Sequence, residues 1–204
     1  MTTIFDELLR TFRGYLTGFD NETLRGFASG IDWSMPPRPL EPNPLACLAH
    51  LDRAAELAPP PARRLAGLLA EHRHAFRWGQ TYTAADFGKR FIDNYGWLEV
   101  FGTRGHFASN AAAGGFLILG PDILYPDHHH IAEEIYIPLT GGAEWRMADE
   151  PFRRQEAGEV IHHESGVNHA MRTGSEPLLA LYLWRGGPLA ERSTVTGSVE
   201  AGGC

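Results

Sequence analysis

Phe5, Leu8, Leu9, Phe12 and Leu16 recur at three- and four-residue steps, the spacing that draws one apolar stripe along an α-helix. A proline-rich loop follows, Asp32 to Pro44, whose fixed φ angles forbid helix continuation. Leu45, Leu48, Leu51 and Ala55 give a second stripe, with Asn43 as its expected cap and Pro44 in its first turn. Pro59-Pro60-Pro61 ends it, and Leu65, Leu68, Leu69, His72 and Phe76 give a third. From about residue 80 the period shortens. Short apolar runs at Trp97–Phe101, Gly115–Leu119, Glu134–Leu139, Gly142–Met147, Glu159–His163, Ala170–Thr173 and Leu178–Trp184 alternate with turn signals such as Gly120-Pro121-Asp122 and Gly141-Gly142. Regularly spaced short strands predict an antiparallel sandwich or barrel. The expected organisation is a helical region over 1–80 that packs on a β-barrel of residues 81–190. A small, polar tail at 191–204 is expected to fray.

Length and charge narrow the function. A chain of 204 residues with 43% apolar content can bury a full core. A net charge of -7 without a basic run argues against a nucleic-acid partner. No apolar stretch reaches the roughly 18 residues of a membrane span, and the acid-bearing N-terminus lacks a signal-peptide core. A soluble, cytoplasmic protein acting on a small molecule is expected. Cys47 and Cys204 lie far apart and predict neither a disulfide nor a nucleophile. Two roles stay open for the helical part: a lid over the barrel mouth, or a homodimer contact.

The candidate chemistry sits in Asp127-His128-His129-His130, followed by Glu133, Glu134 and Tyr136; six of the ten histidines fall between 128 and 169. On an extended segment His128 and His130 project to one side and His129 to the other. Glu134 and Tyr136 share a strand face, opposite the apolar face of Ile135, Ile137 and Leu139. His128, His130, Glu134 and Tyr136 can therefore converge, while His129 and Glu133 look away. His162, His163 and His169 are the candidates for a further donor; only one of the adjacent pair can face a pocket. Imidazoles with one carboxylate form a mixed nitrogen and oxygen set. It suits one divalent transition metal ion, Zn, Fe, Mn, Co or Ni, and spacing does not choose among them.

The segment Gly120 to Gly141 resembles the first cupin motif, with Gly120, His128, His130, Glu134 and Gly141 at its positions. The second motif is matched by Gly158, Gly166 and His169, with Glu164 where a proline is usual and Thr173 where an asparagine is usual. The string from Tyr125 to Pro138, with His169 to Thr173 and Leu179 to Gly186, is similar to the cupin-type dimethylsulfoniopropionate (DMSP) lyases, the DddQ group in particular. The similarity covers most of the chain. It implies a mainly β cupin fold, a double-stranded β-helix or jelly-roll barrel with an N-terminal α-helical extension. It also implies a divalent ion, often zinc or iron, on His128, His130, Glu134 and His169.

The activity so implied is carbon–sulfur cleavage of DMSP to dimethyl sulfide and acrylate by base-initiated β-elimination. A metal polarises the carboxylate, a base takes the α-proton, and the sulfonium group leaves. Tyr136 is the expected base and Tyr125 the second choice. A free tyrosine titrates near about 10, and lowering it by about three units asks roughly 4 kcal/mol of a neighbouring dication. Trp184 is the expected cation-friendly wall for the sulfonium, with Tyr182, Trp97, Phe101 and Phe107 as further aromatic candidates. His163 is expected to hold the substrate carboxylate or to orient a ligand. Two other readings compete: a cupin dioxygenase or isomerase with the same ligands, and a non-catalytic small-molecule-binding or sensor cupin. The last is disfavoured by N-terminal helices that set Arg10 and Arg13 beside Asp6 and Glu7.

Overall fold

The computed structural model describes residues 2–197. Cys204 and residues 198–204, the end of the segment expected to fray, lie outside the described residues. The helices are α1 (Ile4–Leu16), α2 (Glu22–Ser29), α3 (Leu51–Leu57), α4 (Pro60–Glu71) and α5 (Ala84–Asp93). The strands are β1 (Trp78–Gly79), β2 (Tyr95–Gly102), β3 (Phe107–Ala108), β4 (Ala112–Leu119), β5 (Leu124–His129), β6 (Glu133–Pro138), β7 (Glu144–Met147), β8 (Arg153–Arg154), β9 (Ile161–His163), β10 (His169–Arg172), β11 (Leu178–Arg185) and β12 (Thr194–Val195).

α1 starts at a reciprocal cap: Thr3 Oγ1 accepts the Asp6 N–H at 3.2 Å, and the Asp6 carboxylate accepts the Thr3 N–H at 2.8 Å. α2 was not expected. It is one short amphipathic segment capped by Asn21, with only Leu24 and Phe27 buried, too brief to draw a stripe. The expected second helix is a 3-10 turn, Ala46–His50, running into α3. Asn43 does not cap it. Its side-chain amide donates to Trp78 O at 2.7 Å and its backbone bridges Arg77, so it ties the loop to β1 instead. The triple proline that ends α3 also starts α4, with Pro60 in the first turn. α5, inside the span expected to be barrel, is capped by Thr83 and Asp86 and kinked at Gly88, whose φ of 78° breaks the apolar periodicity.

The strands form two sheets. The larger runs β1-β2-β4-β11-β6-β9, with β3 beside β2; the smaller runs β12-β5-β10-β7-β8. Alternation in the large sheet sends its two faces to different cores. Leu98, Val100, Phe116, Ile118, Ile135, Ile137, Leu179, Leu181 and Leu183 pack outward with residues of α1, α2 and α4. Phe12 of α1 sits edge-on to Phe101 and Phe116, with centroids 5.6 and 5.4 Å away. Leu117, Tyr136 and Tyr182 point inward, where they join Tyr125, Trp145 and Met171 of the small sheet in an aromatic-rich second core. The described N-terminal helices thus back the large sheet. The segment expected to fray from 191 instead carries β12, whose Thr194 and Val195 pair with His129 and His128.

Candidate active site

The two sheets bring the site together. His169 on β10 stands opposite His128 on β5, and a register shift just after His169 lets both His128 and Tyr125 line the cavity. Glu134 on β6 lies between Trp184 of β11 and His163 of β9. His130 falls in the turn joining the sheets, where its carbonyl accepts the N–H of Gly166 at 2.9 Å. Gly166 adopts a φ of 76°, the conformation that turns the chain into β10. His129 is half-buried and turned away, and Glu133 pairs outside the cavity with His162 and Arg185.

His130, Glu134 and His169 bring one ligand atom each within 4.8 Å of one another. Glu134 Oε2 lies 3.1 Å from His130 Nε2, 3.3 Å from His169 Nε2 and 3.5 Å from His163 Nδ1. Glu134 Oε1 accepts the Trp184 indole N–H at 2.5 Å. His128 stands one step out, its ring 4.2 Å from His169 and 6.4 Å from His130. The three expected histidine ligands share one device: Nδ1 of His128, His130 and His169 donates to the carbonyl of Pro126, Ala132 and Val167, at 2.8, 2.7 and 2.9 Å. Each bond engages Nδ1 and leaves Nε2 as the nitrogen available to an ion.

These residues fit a metal ion. Nε2 of His169 and of His163 is buried without a hydrogen-bond partner, as a donor meant for an ion would be. Burial, with His169 beside it, keeps His128 well below the usual histidine range. Burial likewise takes His163 down to about 4. For His130 burial works the same way, but the Glu134 carboxylate outweighs it and raises the group. Burial alone would push Glu134 up; His130 chiefly, then His163 and His169, hold it well below the usual carboxylate range. Glu134 is therefore held as a carboxylate and His128 and His163 as neutral imidazoles, the forms that bind metal, while the Glu134 carboxylate favours the protonated form of His130.

Five of the seven expected aromatic residues gather around a cavity of about 540 Å³ counted with its open mouth. Tyr136 faces into it. Burial, then Glu134, pushes its phenol well above the ordinary tyrosine value. Tyr125 stacks on His128 at 4.1 Å, and its hydroxyl donates to that of Tyr82 at 3.2 Å. Trp184 lies 4.1 Å from His130, ring to ring, besides holding Glu134. Tyr182 and Trp97 line the cavity, whereas Phe101 and Phe107 belong to the outer core.

The family profile of the dimethylsulfoniopropionate lyases matches residues 36–180. The chain belongs to the DMSP lyase family. It is 33% identical to the dimethylsulfoniopropionate lyase DddQ of Ruegeria pomeroyi over 163 residues, 80% of this chain and 81% of that protein. The crystal structure of that DddQ superposes with a TM-score of 0.85 at 30% identity, covering 95% of this chain and 96% of the other. A chain from the crystal structures of the DMSP lyases RdDddP and RnDddQII gives a TM-score of 0.87 at 27% identity, over 95% and 97%. A cupin-like protein of Thermotoga maritima, at 16% identity and a TM-score of 0.50 over 62% of this chain and 90% of that one, shares the fold alone. The fold is thus a mainly β cupin with N-terminal helices.

In this DMSP lyase relative the cavity also has lining that the sequence reading missed. Thr81, Tyr95, Glu99, Arg104 and Ser193 contribute to its wall. Tyr95, Trp97 and Glu99 alternate along β2, so a period of two through Tyr95-Gly96-Trp97-Leu98-Glu99 carried the signal.

Proposed function

We propose that this chain is a metal-dependent carbon–sulfur lyase that cleaves DMSP to dimethyl sulfide and acrylate. The observation that carries the reading is the convergence of His130, Glu134 and His169, with an unpartnered Nε2 on His169, on the strand face that also bears Tyr136. His130, Glu134 and His169 would hold the ion, with His128 as the fourth donor. Zinc and iron are the ions to test first, since both accept mixed imidazole and carboxylate ligands. When bound, the ion supplies a Lewis acid for the substrate carboxylate and a positive charge that offsets the effect of Glu134 on Tyr136.

The chain's own residues do the rest. The Tyr136 phenolate takes the proton from the α-carbon. The released electron pair forms the Cα–Cβ double bond, and the Cβ–S pair leaves with sulfur. Neutral dimethyl sulfide and acrylate result, with the proton on Tyr136. Tyr182 and Trp184 offer aromatic faces to the sulfonium, each contributing about 0.5–2 kcal/mol. Trp184 also keeps Glu134 oriented. His163 braces the same carboxylate through Nδ1 from its place opposite Glu134 on β9, with its ring 5.9 Å from that of Tyr136.

The test is headspace dimethyl sulfide from DMSP with protein stripped by chelator and reloaded with one ion at a time. Wild type reloaded with zinc or iron should release it and stripped protein should not. Tyr136→Phe should lower kcat about a hundredfold or more, the usual share of a general base. If no ion yields product, the lyase reading fails; if Tyr136→Phe matches wild type, the base lies elsewhere.

A further inference from the structure

The cavity has a second buried carboxylate, remote in sequence from the histidines. Glu99 on β2 is 2% exposed and lines the same space as Glu134. Strand register sets it in line with the site: Glu99 pairs with Gly115, Gly115 with Tyr182, and Tyr182 with Tyr136. Gly115 carries no side chain, so β4 places nothing between Glu99 and Tyr182. Tyr182 on β11 thus lies between β2, which carries Glu99, and β6, which carries Glu134; its phenol is raised by burial first, then by Glu99, with Arg104 opposing.

Glu99 already has one partner. Its Oε1 accepts the Arg104 N–H at 2.5 Å, and its Oε2 accepts Arg104 Nε at 3.3 Å. The guanidinium lies 4.6 Å over the Trp97 ring and reaches Leu189 O at 3.5 Å, so Arg104 sits toward the mouth and is partly exposed. Burial pushes the Glu99 carboxyl up and Arg104 opposes it. The cavity therefore has a metal-type pole at Glu134 and, on β2, the Glu99 carboxylate held by Arg104, with Tyr182 on the strand between and Trp97 alongside.

We infer that Glu99 is the counter-charge for the cationic end of the substrate and sets a preference for short onium carboxylates over neutral acids of the same length. A carboxylate drawn to the metal end leaves its sulfonium or quaternary ammonium group on the Tyr182 side, toward Glu99. Aromatic faces accept such a cation from the sides, and a buried anion is what selects it by charge. This inference rests on the lyase reading of the site.

The test is calorimetric binding to metal-loaded protein, without turnover. The probes are 3-(trimethylammonio)propionate, which is cationic at one end, and 3-(methylthio)propionate, which is neutral there. Wild type should bind the first about tenfold or more tightly than the second, the size of one desolvated charge contact. Glu99→Gln, which keeps an acceptor for the Arg104 N–H, should erase that preference and leave the neutral probe within about twofold. Equal affinities in wild type would overturn the inference, and that comparison needs no variant to fold. Equal weakening of both probes in Glu99→Gln would overturn it too, assigning Glu99 only to closing the 99–104 loop. Absence of dimethyl sulfide from DMSP would sink the lyase reading instead, and the probe preference is read independently of it.

Discussion

Glu134 is the residue on which the site turns, because both of its oxygens are committed. Oε2 meets His130 and His169, while Oε1 takes the Trp184 indole N–H. Partners that orient a ligand typically change metal affinity by about ten- to hundredfold when removed. Trp184→Phe keeps an aromatic ring against His130 but loses that N–H. We expect its metal affinity to fall by roughly tenfold or more, measured by equilibrium competition with a chromophoric chelator; unchanged affinity would release the indole from this role. At this scale much was legible in the sequence. A period of two separates His128 and His130 from His129, and Glu134 and Tyr136 from Glu133 and Ile135. What was not legible depends on pairing between strands. The choice of His163 over His162 as the inward residue comes from β9 lying against β6, and the offset of His128 from the tight cluster comes from its contacts with Tyr125 and Pro126.

The elements are joined to one another by buried aromatic contacts, and one of these carries a titratable group. His106, just before β3, stacks on Phe5 of α1 at 4.4 Å, and its Nε2 accepts the Arg77 N–H at 3.3 Å. Burial takes it down to about 4, so the native protein keeps it neutral. An unfolded chain protonates its histidines near about 6.5. Between that value and about 4 the unfolded state holds more protons, and stability is lost as pH falls. The thermal midpoint of ion-free protein should therefore drop between about pH 7 and about pH 5. His106→Gln retains an acceptor for Arg77 and should flatten part of that drop; His163, down to about 4 as well, carries another part. A slope identical to wild type would show that the α1 contact is not acid-sensitive through His106. The element pattern itself was legible where stripes are long, as in α1, α4 and β11. It was hidden in α2, which buries two side chains, in α5, which breaks at Gly88, and in β5, where Pro126 and Asp127 interrupt the apolar run.

Across the whole molecule, the cavity is closed by parts that no single periodicity announces. The large sheet supplies Glu134 and Tyr136, the small sheet His128 and Tyr125, and the segment after β11 a further part of the wall through Leu189, Glu191 and Ser193. That segment lies beyond the residues matched by the family profile. It reads as polar tail because its hold is made by backbone and ion pairs. Thr196 and Gly197 donate N–H groups to Asp127 O at 2.8 and 3.0 Å, and Arg192 reaches Asp86 of α5 at 2.7 Å. Such contacts need no apolar stripe, so hydrophobic pattern cannot reveal them. A chain ended after Gly187 loses the edge strand β12, with Val195 that packs on the inner core, and the buried Leu189, and keeps the rest of both cores. We expect it to stay folded, with its thermal midpoint lowered by a few degrees, on the order of 1 kcal/mol. Its KM for DMSP should rise about tenfold, since a wall of the binding site is gone, while metal content per chain stays the same. Steady-state kinetics beside metal analysis decide it. An unchanged KM would mean that the two sheets alone enclose the substrate; lost metal would mean that the pairing of Thr194 and Val195 with His129 and His128 is what holds β5 in place.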